Sequence, residues 1–150
     1  MSPPAPNLER FYVKYAWLLL FGLALLLALG AGGMMVTGAN PPMQFETDTG
    51  VSWAAFSADY PTVATLVSLE DLLLGTAFVA FALLTAVIAA TKYRAGERWA
   101  WRVLWLFPAL LLAATVLMFT HDQAYVGYFY AGAAFISVLG LGLPARRYVG

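Results

Sequence analysis

The chain has 150 residues, 62% of them apolar and only 11% charged, whereas soluble domains run at roughly 45–50% and 25%. Its formal net charge is zero and it has no cysteine, which removes any bulk attraction for nucleic acid and excludes disulfides, thiolate metal sites and thiol redox chemistry. The composition is that of an integral membrane protein, and the expected fold class is all-α, a single transmembrane domain of four helices in an up-down antiparallel bundle.

Taken in order, residues 1–8 hold three prolines and read as a flexible tail. Leu8 to Lys14 reads as an interfacial turn into a first span over about residues 15–36, anchored by Phe11, Tyr12, Tyr15 and Trp17. That run exceeds the usual 7–15 residues of a signal-peptide core, so it is taken as a retained helix. Ala24, Ala28 and Gly32 recur at a spacing of four, which lets another helix approach closely in lipid. A loop over 37–61 follows. Gly38-Ala39-Asn40-Pro41-Pro42 breaks the helix, and Ser52 to Asp59 predicts a short interfacial helix capped by Ser52, with Trp53 and Phe56 on one face.

Asp59-Tyr60-Pro61 marks the start of the second span, about 62–91, with proline at the first helical position. Thirty helical residues reach roughly 45 Å, more than one hydrocarbon core, so Glu70 and Asp71 fall at its outer boundary. Ala82, Ala86 and Ala90 repeat the small-residue spacing. Thr91 to Arg102 is a basic and aromatic hinge, with Tyr93, Trp99 and Trp101 read as headgroup-level anchors. The third span, about 99–120, carries Pro108, where a bend or a lost hydrogen bond is expected. His121-Asp122-Gln123 is a tight turn into the fourth span, about 124–143, which ends at Pro144 before Arg146-Arg147.

Charge sorts by side. All eight Lys and Arg residues lie before the first span, between the second and third or, for Arg102, a few residues into the third within snorkelling reach of that side, or after the fourth, while six of the eight carboxylates (Glu46, Asp48, Asp59, Glu70, Asp71, Asp122) lie on the opposite side. By the positive-inside rule both ends of the chain are expected in the cytoplasm, in a prokaryotic inner membrane.

No ionised residue falls in mid-span, which disfavours a proton-coupled carrier built on a buried carboxylate. The polar residues able to converge are Glu70, Asp71, His121 and Asp122, with Tyr125 and Tyr128 beside them and Trp53 and Phe56 above; these eight are the candidate ligand-binding residues. Carboxylates and imidazole together suit a divalent metal, but an ordinary solvated rim is the preferred reading, and neither a metal site nor a catalytic residue is assigned. No cofactor is predicted; a bound lipid, or a haem or chlorophyll-like pigment on His121, is the exception kept open.

The motif Arg94-Ala95-Gly96-Glu97-Arg98-Trp99-Ala100-Trp101, with Tyr60-Pro61 before it and Pro108 after it, loosely resembles small uncharacterised prokaryotic four-helix membrane proteins over residues 50–110; the resemblance implies no activity. Four-helix multidrug exporters carry a membrane-embedded glutamate that is missing here, and quinone-linked disulfide enzymes need cysteines. The leading functional expectation is a non-catalytic accessory or partner-binding subunit of a larger membrane complex, in contact with membrane lipids, other subunits or its own copies. The alternative is a binding protein or enzyme for a lipid, isoprenoid or quinone in an outward-facing pocket; a small transporter ranks last.

Overall fold

A computed structural model describes residues 6–36 and 45–149. Among them there is no strand, and four helical segments are long and apolar enough to cross a membrane: Lys14–Gly33, Pro61–Tyr93, Arg98–Thr120 and Ala124–Gly142. The elements in order are α1 (Pro6–Val36), α2 (Phe45–Thr49), α3 (Trp53–Asp59), α4 (Pro61–Ile88), a π-helical turn (Ala89–Tyr93), α5 (Arg98–Leu104), α6 (Leu106–Thr120), α7 (Ala124–Gly142) and α8 (Ala145–Val149). They fall into two compact units, Met1–Leu26 with Leu83–Gly150, and Leu27–Ala82.

Several local expectations are met for the reasons the residues supply. Ser52 caps α3 by accepting from the Ala55 amide at 3.2 Å, and α4 opens on Pro61, whose missing N–H costs nothing at a helix start. Pro108 has no donor for the Leu104 carbonyl four residues earlier. The third span accordingly divides at Trp105, whose amide reaches the Arg102 carbonyl at 3.4 Å instead.

Others differ. Leu8 to Lys14 is helical rather than a separate turn, because α1 begins at Pro6 and runs unbroken to Val36; Pro6 again suits a first turn. The tail as far as residue 5 and the break at Gly38 to Pro42 lie outside the described residues. In the first small-residue stripe Ala24 and Ala28 are buried, but nothing lies within 4 Å of where a Cβ on Gly32 would stand. The buried row on α1 is Ala16, Leu20, Ala24, Leu27 and Ala28. In the second stripe burial passes from Ala82 and Ala86 to Ala89, not Ala90.

In the unit that holds Leu83–Gly150, α6 and α7 pack as a hairpin across the turn at His121–Gln123. Asp122 takes φ 57° there, a left-handed conformation that aspartate tolerates better than most residues. Gly140 on α7 meets α1: a Cβ at that position would stand 3.1 Å from Leu20 Cγ and 3.5 Å from the Ala16 carbonyl. Hydroxyls inside the spans are satisfied locally. Thr76, Thr91, Thr115 and Ser137 each donate to the carbonyl four residues back at 2.6–2.8 Å, as lipid, which offers no partner, requires. In the Leu27–Ala82 unit, Met35 Sδ would lie 3.2 Å from a Cβ on Gly75.

Close approach at Gly140 makes it sensitive. Gly140→Val should cost about 1–3 kcal/mol by overpacking, read as a lower thermal unfolding midpoint in detergent, whereas Gly142→Ala, with nothing within 4 Å, should leave it unchanged.

Candidate functional site

The most elaborate side-chain assembly is on the hinge, and it starts from a missing proton. Pro144 cannot donate to the Gly140 carbonyl, one of the acceptors that the end of α7 leaves over. Tyr93, carried inward on the π turn, donates its hydroxyl to that carbonyl at 2.6 Å. The Trp101 indole N–H donates to the neighbouring Leu141 carbonyl at 3.0 Å. The end of α7 is therefore capped by two aromatic side chains from elements some forty residues earlier in the chain.

Tyr148 on α8 closes the group. Its hydroxyl donates to the Tyr93 carbonyl at 2.9 Å, and its ring stacks with those of Tyr93 (centroids 5.3 Å apart) and Trp101 (5.8 Å, planes 4° apart). Tyr93 and Tyr148 are buried. Burial holds the Tyr148 phenol above its ordinary 10.0, with the nearby Arg147 charge opposing. Only Trp99, 47% exposed, keeps the surface position expected of all three hinge aromatics; Tyr93 and Trp101 are packing residues because each carries a donor that buried carbonyls lack.

Around this core stand cations. The Arg147 guanidinium lies 5.7 Å from the Tyr148 ring centroid and donates to the Ala95 carbonyl at 3.4 Å. It passes over Gly96, which takes φ 87° and has no room for a Cβ beside that guanidinium. The Arg94 guanidinium lies 4.9 Å from the Trp17 ring centroid on α1. Glu97 accepts from Lys92 at 2.9 Å and from the Trp99 indole. These two hydrogen bonds, the Lys92 one first, hold its carboxyl below the ordinary 4.5.

The sequence candidates sit elsewhere. Trp53 and Phe56 do come together, in a run of rings with Phe45 and Tyr60 whose centroids are 4.9–5.6 Å apart; at that spacing the rings fill one another's space. The Trp53 amide donates to Glu46 Oε1 at 3.2 Å. Glu70 and Asp71 are exposed neighbours on α4, while His121 and Asp122 are exposed in the α6–α7 turn. Tyr125 is 85% exposed, and Tyr128 meets the Phe119 ring edge-on at 5.2 Å. Among the described residues no three His, Asp or Glu side chains are grouped so as to hold a metal ion. The residues that sequence reading missed are Gly140, Leu141 and Tyr148. The available signal was Pro144, which announces a carbonyl in need of a donor.

Comparison with family models, curated proteins and solved structures gives no match. The class the fold defines is therefore the coarse one: an all-helical membrane protein with four candidate spans.

Tyr93→Phe should cost about 1–3 kcal/mol by leaving the Gly140 carbonyl unsatisfied, and Tyr148→Phe, which keeps the stack, about 1 kcal/mol; thermal unfolding in detergent measures both. For Glu97 the sign follows from its lowered pKa: the stabilisation is present above 4.5 and is lost as acid protonates the group. Glu97→Gln should therefore be less stable than the parent at neutral pH, and the gap should close below pH 4.5.

Proposed function

We propose that this chain is a non-catalytic accessory or partner-binding subunit of a larger complex in a prokaryotic inner membrane, with its four spans in an up-down bundle and both ends of the chain in the cytoplasm. The observation that carries this reading is the placement of ionisable groups. Every Lys, Arg, Asp, Glu and His side chain whose burial the structure describes is exposed or half-exposed. The described buried polar side chains are Thr85, Thr115 and Ser137, and the last two are bonded to their own helix. A site for acid–base or nucleophilic work would need a poised group in a sheltered place.

Surface argues in the same direction. No more than 33% of any span's most apolar stretch is buried within the chain, and only 22% along Pro61–Tyr93. Leu66, Leu69, Leu72, Leu73 and Leu74 on α4 are all exposed, a large apolar area for lipid or for a neighbouring helix. The self-filled cluster of Phe45, Trp53, Phe56 and Tyr60 favours this reading over an outward-facing pocket.

Extraction from native membranes in a mild detergent, followed by mass spectrometry of the intact assembly, tests the proposal. Stoichiometric co-purification with other membrane subunits is expected; recovery solely as a free monomer would sink it.

A further inference from the structure

We propose that the face formed by the 92–102 hinge and α8 binds the phosphate headgroups of anionic membrane phospholipids. Six cations belong to it, Lys92, Arg94, Arg98, Arg102, Arg146 and Arg147, against the single carboxylate of Glu97. That carboxylate is already held by Lys92 and the Trp99 indole. Arg94, Arg98, Arg102 and Arg147 have no carboxylate within 4.0 Å among the described residues.

The arrangement is built rather than merely basic. The guanidiniums of Arg94 and Arg147 lie 4.9 and 5.7 Å from the ring centroids of Trp17 and Tyr148, contacts that leave N–H donors to spare; Arg has five of them in a fork that matches phosphate oxygens. The Arg147 contact with Ala95 brings α8 onto the hinge across fifty-two positions of sequence. Arg98 and Arg102 are four residues apart on α5 and both exposed, so they share one side of that helix.

An amphiphile, not a free anion, fits what adjoins these charges. Arg98–Thr120 is itself a candidate span, and Val103, Leu106 and Leu110, directly following the two arginines, are exposed. A phospholipid would set its phosphate on the guanidiniums and its acyl chains along those side chains; Trp99, also exposed, suits the headgroup level between them. An acidic protein segment would use the charges and leave the apolar row uncovered.

The test uses the full chain in a non-ionic detergent, offered equal amounts of cardiolipin, phosphatidylglycerol and phosphatidylcholine, with retained lipid counted by native mass spectrometry. The two anionic lipids should be retained in preference to phosphatidylcholine. Arg98→Gln and Arg102→Gln should each weaken their retention by about fivefold at low ionic strength, with phosphatidylcholine retention and thermal unfolding unchanged. Equal retention of the three lipids by the parent, or undiminished cardiolipin retention in a variant carrying both Arg98→Gln and Arg102→Gln, would overturn the proposal. So would binding of inorganic phosphate without any preference for anionic lipid.

Discussion

Pro144 has no N–H to return to Gly140, and Gly140 is buried, so its carbonyl needs a partner from within the protein. The Tyr93 hydroxyl is that partner, and much of the rest of its unit follows. To reach the Gly140 carbonyl, Tyr93 must come off the end of the second span at the right angle, and the chain there is wound as a π turn, a local widening of a kind often found at specialised positions. With Tyr93 in place, its own carbonyl receives the Tyr148 hydroxyl as well as the Gly96 amide. One missing donor thus connects the end of the second span, the start of the third and both sides of the break after the fourth.

The same economy of hydrogen bonds explains the contents of the spans. Thr76, Thr91, Thr115 and Ser137 bond back to their own helices, and the third span breaks at Trp105, three residues before Pro108. Small residues do the remaining work: Gly140 against Leu20 and Ala16, and Gly75 against Met35, permit contacts that a larger side chain would block. Among the described residues the buried polar side chains are Thr85, Thr115 and Ser137, and Arg94 and Arg147, without a carboxylate within 4.0 Å, lie beside aromatic rings at the surface.

The functional reading rests on where charge is and is not. Cations and most carboxylates are segregated along the sequence, and none of those whose burial is described is buried. Glu70 and Asp71 are exposed on α4, and His121 and Asp122 are exposed in the α6–α7 turn. The hinge, by contrast, read as a belt of interfacial aromatics, is a packed structure whose outer layer is cationic.

The sequence by itself determined the class, the number of spans, the breaks at Pro61, Pro108 and Pro144, the cap at Ser52 and the tight turn at His121–Gln123. Each of these depends on local chemistry: hydrophobic run length, a ring that lacks a donor, a side-chain oxygen within reach of a nearby amide. Only the tertiary structure decided that Tyr93 and Trp101 face inward, that Tyr148 is a core residue rather than part of a basic tail, and that Arg147 lies over Gly96. Tyrosine and tryptophan suit a membrane surface and a buried carbonyl equally well, since each has an apolar body and one polar end. Which place they take depends on whether an unsatisfied acceptor, some forty residues away in sequence, is brought within about 3 Å.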